Sequence, residues 1–98
     1  MSAVRDRPLV TAGSKPALPA HVRLHFDTTR QAWALLSPEK VLWPDEISLA
    51  ILSRCDGQTS VSTITQALAE DYDADPVEVG ADVVGFLQDW SDRMVIRL

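Results

Sequence analysis

Within residues 21–92, the spacing of the apolar residues changes from every second position to every third or fourth, and that change predicts the order of the secondary structure. From His21, apolar and polar residues alternate, with Val22, Leu24 and Phe26 on one side, as in a half-buried strand. Two further extended stretches follow, at residues 32–36 and 40–43. Beyond Pro44 the apolar residues recur every three or four positions, which is the helical period. We therefore expect an α+β fold in which a three-stranded antiparallel sheet is followed by a three-helix bundle.

The ends of the helices are predicted by local residues. Pro44 should end the third strand, and Asp45 is suited to cap a helix that runs from Glu46 to about Cys55. Ser60 or Thr59 can cap the second helix. The third helix begins most clearly, with Asp75 as N-cap, Pro76 at the first helical position and Glu78 three residues past the cap.

The two ends of the chain lack a helical pattern. Residues 1–20 hold three of the six prolines and no hydrophobic period, which predicts a flexible N-terminal tail before a single domain at residues 21–98. At the other end, Met94, Ile96 and Leu98 alternate with Val95 and Arg97, which predicts a short final strand or an extended tail.

The charges are unevenly distributed and oppose binding to nucleic acid. The formal net charge is -5, and residues 45–98 carry three basic side chains against eleven acidic ones. The expected fold is winged-helix-like, so a nucleic-acid-binding or transcription-regulatory module is the alternative to be weighed. Its recognition helix would need basic or amide side chains, whereas the third helix offers four carboxylates, Glu78, Asp82, Asp89 and Asp92.

Catalysis and metal binding have little support. His21 and His25 lie about 13 Å apart if they are four residues apart on a strand, too far to share a zinc ion. Cys55, the only cysteine, falls on the apolar side of the first helix, where burial should quench its reactivity. We expect no enzyme activity, no cofactor and no metal. Without a signal sequence or an apolar run long enough to span a membrane, we expect a cytoplasmic protein with no membrane partner.

With nucleic-acid binding, catalysis and metal binding poorly supported, the sequence is best explained by a surface that binds an extended peptide. If the short third strand lies at the edge of the sheet, its free backbone groups could pair with an added strand. The third helix would line the other side of the groove with apolar and acidic side chains. The predicted peptide-binding residues are Lys40, Val41, Leu42 and Trp43 of the strand, and Asp82, Val83, Phe86, Leu87, Asp89 and Trp90 of the helix.

Several segments in fixed order resemble the PqqD family, and together they span about residues 22–96. The matching segments are Leu35-Leu36-Ser37-Pro38-Glu39, Ile51-Leu52, Cys55-Asp56-Gly57 with Val61 and Ile64, and Val83-Val84-Gly85-Phe86-Leu87. The chain departs from the family's usual residues at Ser37, Lys40 and Pro44, and it lacks the glycine often found after the third helix.

The resemblance implies a peptide chaperone in the biosynthesis of pyrroloquinoline quinone (PQQ). Such a protein binds the precursor peptide PqqA and delivers it to the radical SAM enzyme PqqE. The resemblance also implies that the leader of the precursor lies beside the third strand and against the third helix. We expect a monomer, although its hairpin could open and exchange between chains to form a strand-swapped dimer at high concentration.

Overall fold

A computed structural model describes residues 9–98, and its elements follow the predicted order. Three strands precede three helices. The elements are β1 (Arg23–Asp27), β2 (Ala32–Leu36), β3 (Val41–Leu42), α1 (Glu46–Leu52), α2 (Val61–Asp71) and α3 (Pro76–Asp92). The expected α+β fold is confirmed, while β3 and α1 are both shorter than their sequence patterns suggest. None of the helices within residues 9–98 combines the length and the hydrophobicity needed to cross a membrane.

The sheet is antiparallel, with β2 between β1 and β3. Asp27 fixes the first turn, because its carboxylate accepts the backbone N–H groups of Thr29 and Arg30 at 2.9 and 3.0 Å. Leu35 faces Leu24 on one neighbouring strand and Leu42 on the other. Because opposite residues of an antiparallel pair share a face, these three leucines define the side of the sheet that covers the core.

Each helix begins at a residue that the sequence offers as a cap, and of the two candidates for α2 it is Ser60 that caps the helix. Asp45, Ser60 and Asp75 accept backbone N–H groups of the first turns of α1, α2 and α3. The helices pack a single apolar core against the leucine face of the sheet. Its most deeply buried side chains are Leu35, Ile51, Leu52, Ile64, Val83, Leu87 and Pro16.

The segment before β1 is bound to the domain, which differs from the flexible tail predicted for residues 1–20. The carbonyl oxygens of Ser14 and Ala12 accept the N–H groups of Val61 and Ser62 at 2.8 and 3.0 Å. These donors belong to the first turn of α2 and have no partner inside the helix. Prolines and small residues suit this role because they let an extended backbone lie close to the helix end. Residues 1–8 of the predicted tail lie outside the described residues.

The C-terminal end of α3 is closed without glycine. Met94 adopts φ +64°. The N–H groups of Val95 and Met94 donate to the carbonyl oxygens of Trp90 and Ser91, both at 2.9 Å, which is the Schellman pattern. Beyond it, Arg97 and Ala17 exchange two backbone hydrogen bonds of 2.7 and 2.8 Å. The predicted final strand is therefore a single bridge to the N-terminal segment.

Candidate functional site

The outer edge of β3 carries free backbone groups. This strand pairs only with β2, so its other side is open within the described chain. The N–H of Ser37 donates to the carbonyl of Lys40 at 3.1 Å, which makes these two residues a hydrogen-bonded pair. In an antiparallel ladder the next pair, Leu36 and Val41, is then not hydrogen-bonded. The N–H and C=O of Val41 therefore point away from β2, toward the open edge.

The predicted strand residues do not all face α3. Leu42 is half-buried and packs against the core. Val41 and Trp43, by contrast, are 49% and 44% exposed and lie on the outer face of the sheet, where they share a shallow hollow with Ala34. The guanidinium carbon of Arg30 lies 4.8 Å from the centre of a Trp43 ring. Trp43 therefore belongs to the outer face, because the alternation along a strand places it opposite Leu42.

The predicted helix residues divide into three groups. Val83 and Leu87 are 1% and 0% exposed, so they stabilise the core and offer no free surface to a ligand. Phe86 and Trp90 are half-buried, and their rings stack with centroids 4.8 Å apart. Asp82 and Asp89 are exposed. At 100° per residue, Asp82, Phe86 and Asp89 lie along one side of the helix, beside the apolar stripe.

A hollow of about 300 Å³ joins the β2–β3 turn to the end of α3. Lys40 and Glu39 line it from the turn, and Arg93 and Met94 line it from the helix end. The side chain of Arg93 also pairs with Asp89 at 3.4 Å, one helical turn earlier. The β2–β3 turn and the C-terminal end of α3 therefore line one hollow, with Lys40 on one side and the residues that follow Trp90 by one turn on the other.

Sequence reasoning missed two side chains that lie beside the predicted strand residues, Arg30 next to Trp43 and Met94 across a hollow from Lys40. Arg30 lies in the turn between β1 and β2. It reaches Trp43, which follows β3, because β1 and β3 both pair with β2 in one sheet. Met94 carries a side chain where a glycine would usually end the helix, and it is 63% exposed. The missing glycine was the one clue that the sequence offered.

The other candidate chemistry finds no support in residues 9–98. They contain no group of three or more His, Cys, Asp or Glu side chains suited to hold a metal ion. Cys55 is buried, and its Sγ donates to the carbonyl of Ile51 at 3.3 Å. Burial, with a smaller effect from the charge of Asp56, raises the pKa of this thiol to about 12. A thiol with so high a pKa is a poor nucleophile at neutral pH.

Comparison with known proteins identifies the family. Residues 32–96 match the family described as coenzyme PQQ synthesis protein D (PqqD). The chain belongs to the PqqD family. The resemblance noted in the sequence is thereby confirmed.

The relatives of this PqqD-family chain are described as binding proteins. It is 54% identical over 84 residues to a PqqA binding protein of Rhodopseudomonas palustris strain BisB5, covering 86% of this chain and 82% of the relative. It is 43% identical over 89 residues to a PqqA binding protein of Xanthomonas oryzae pv. oryzae, covering 91% of this chain and 97% of the relative.

Two solved structures share the fold. The solution structure of the PqqD part of Methylobacterium extorquens PqqCD matches with a TM-score of 0.76 and 36% identity, covering 91% of this chain and 95% of that one. That protein is described as a functional, stand-alone recognition element for ribosomally synthesised and post-translationally modified peptides. The crystal structure of PqqD from Xanthomonas campestris matches with a TM-score of 0.58 and 38% identity, covering 99% of this chain and all of that one.

Proposed function

We propose that this chain is a peptide chaperone in PQQ biosynthesis, which binds the precursor peptide PqqA and presents it to the radical SAM enzyme PqqE. The open backbone edge at Val41 carries the proposal. An extended peptide can pair with the N–H and C=O of Val41 without breaking any hydrogen bond of the domain. The relatives named as PqqA binding proteins supply the identity of the peptide.

Side chains on both faces of the sheet would select the peptide. Alternate residues of an added strand point to opposite faces. On the core face they would meet the stacked rings of Phe86 and Trp90, with Asp82 and Asp89 at the margin. On the outer face they would meet Val41, Trp43 and the guanidinium of Arg30. We therefore expect apolar or basic peptide residues on the first side, and apolar or acidic residues on the second.

In this proposal the chain contributes binding and no chemistry. It holds an end of the precursor in an extended form and leaves the part to be modified free for the enzyme. We propose that this takes place in the cytoplasm, where a ribosomal precursor is made, and that the working form is a monomer. A strand-swapped dimer would require the β1–β2 hairpin to separate from the helices of its own chain, at the cost of exposing Leu24 and Leu35.

A pair of substitutions at one position tests the strand addition. Val41→Pro removes the outward N–H that the peptide would use, and proline is tolerated at an edge where the N–H faces solvent. Val41→Thr keeps both the N–H and the branched shape. We expect Val41→Pro to weaken PqqA binding at least tenfold in calorimetry, and Val41→Thr to change it less than threefold.

The peptide's position is tested by amide chemical shifts in labelled protein titrated with PqqA. We expect the largest changes at residues 40–43 and 82–90. Unchanged shifts in both segments, together with equal affinities of the two Val41 variants, would overturn the proposed groove. Binding of duplex DNA at low salt would instead favour the nucleic-acid alternative.

A further inference from the structure

A third hollow lies on the core side of the sheet, beside β1, the strand farthest from β3. Its volume is about 330 Å³, and most of its lining is apolar. Leu24 of β1 and Trp33 of β2 form one wall, and Leu49 and Ala50 of α1 form another. Tyr72, which follows α2, completes it and is 43% exposed. None of its lining residues comes from β3 or α3, so the hollow is separate from the proposed peptide groove.

Glu46 is the only charged residue in the lining of this hollow. Its Oε2 accepts a hydrogen bond from the Tyr72 hydroxyl at 3.2 Å. The nearby cation, Arg54, is already bound, with its guanidinium 2.7 Å from Asp71 and 2.8 Å from the carbonyl of Ala50. Within the described part of the chain Glu46 forms no ion pair, so its carboxylate retains acceptor capacity for a cation from outside.

The surface around the hollow is aromatic and exposed. Trp33 is 43% exposed, and Phe26 packs edge-on against it with ring centroids 5.4 Å apart. Ile47, next to Glu46 in the first turn of α1, is 47% exposed. A patch of aromatic and aliphatic side chains around a small pocket is typical of a protein interface.

We propose that this hollow receives an arginine side chain of the enzyme that modifies the precursor. The apolar walls fit the aliphatic part of an arginine, Trp33 offers a ring on which a guanidinium stacks, and Glu46 offers a carboxylate that it can bind through two N–H groups. Arginine fits better than lysine because its planar group can stack and pair at once. This inference rests on the proposed function, since it assumes that the chain presents its peptide to an enzyme.

The position of the hollow explains how peptide and enzyme can bind together. The sheet order places β1 and β3 at opposite edges. An enzyme docked over Leu24, Trp33 and Glu46 would leave Val41 free to pair with the precursor. Binding at the two sites therefore need not compete, and the enzyme can take up the chaperone with its peptide in place.

Two glutamates provide a matched test. Glu46 and Glu78 are both exposed and both lie in the first turn of a helix, but only Glu46 lines the hollow. Glu46→Gln removes the charge and keeps an oxygen for the Tyr72 hydroxyl. We expect Glu46→Gln and Trp33→Leu each to weaken association with PqqE about tenfold in surface plasmon resonance, and Glu78→Gln to leave it within twofold.

Titration of each variant with PqqA separates this inference from the proposed function. Weakened enzyme binding with unchanged peptide binding supports the hollow as the docking site. Equal enzyme binding by the wild type, Glu46→Gln and Trp33→Leu overturns it and leaves the chaperone function standing. If the wild type does not bind PqqE at all, the result contradicts both the proposed presentation of the peptide to the enzyme and this inference. If Glu46→Gln instead dissociates a dimer in light scattering and leaves enzyme binding unchanged, the occupant is a second copy of this chain, which also overturns the inference.

Discussion

Phe86 and Trp90 stack in α3 with their ring centroids 4.8 Å apart and their planes at 25°. Each ring is half-buried, so the pair packs against the core on one side and faces solvent on the other. Stacked rings held in this way form a rigid apolar wall that loses little conformational freedom when a ligand binds.

The stacked pair gives the first prediction. Phe86→Leu keeps an apolar side chain of similar reach but removes the stacking, so we expect PqqA affinity to fall about fivefold to tenfold in calorimetry. Phe26→Leu is the control, because Phe26 also belongs to a ring pair but lies at the β1 edge. Its affinity for PqqA should match that of the wild type, and equal losses in both variants would contradict the assignment of the peptide to α3.

Met94 gives a prediction of increased stability. Its left-handed backbone, φ +64°, strains any residue with a Cβ, and its exposed side chain has few apolar contacts to lose. We expect Met94→Gly to raise the free energy of unfolding by about 1 kcal/mol in urea titrations. Gly57→Ala tests the same backbone strain by the opposite change, because it adds a Cβ to a residue with a left-handed backbone.

Gly57 has φ +78°, and an added Cβ would lie 3.3 Å from that of Ala17. We expect this change to lower the free energy of unfolding by at least about 1 kcal/mol. A loss of stability in Met94→Gly would mean that the packing of the methionine outweighs its backbone strain.

The N-terminal segment gives a prediction about the length of the folded domain. A chain that begins at Ala20 loses the carbonyl groups of Ala12 and Ser14, which accept from α2, and the two backbone bonds between Ala17 and Arg97. We expect its free energy of unfolding to fall by roughly 3–5 kcal/mol, since each lost bond leaves a partner without its acceptor or donor. A chain that begins at Leu9 retains all these bonds and serves as the control for shortening. Equal stability of the two shortened chains would mean that residues 9–19 do not stabilise the domain, as the prediction of a flexible tail at residues 1–20 requires.

Cys55 gives a prediction about pH. Its pKa is about 12 in the folded chain, against an ordinary value of 9.0. The unfolded chain therefore loses the thiol proton first as the pH rises. Stability should be unaffected by this group below pH 9 and should fall as the pH approaches 12.

Unfolding in urea at several values of pH, with Cys55→Ala as the control, measures this effect. The wild type should lose more stability than the variant between pH 9 and 11. Alkylation by iodoacetamide at pH 8 should be at least about a hundredfold slower in the folded chain than in urea, because the folded thiol is both protonated and buried. Fast alkylation of the folded chain would show that the thiol is accessible.

The sequence by itself determined the local structure of this protein. The capping residues Asp45 and Asp75 predicted the starts of α1 and α3, the start of α2 was predicted to within one residue, and the alternation from Val22 predicted the first strand of the sheet. These features depend on neighbours within a few residues, so they can be read along the chain. The order and spacing of such segments also sufficed to indicate the PqqD family.

Only the tertiary structure decided which apolar residues remain available to a partner. Val83 and Phe86 belong to the same helical stripe, yet Val83 is fully buried and Phe86 is not. Trp43 lies on the outer face beneath Arg30, and the segment of Ala12 and Ser14 completes the first turn of α2. Each of these outcomes depends on contacts between residues far apart in sequence. Hydrophobic periodicity shows which side of an element is apolar, whereas the packing of the other elements decides how much of that side is covered.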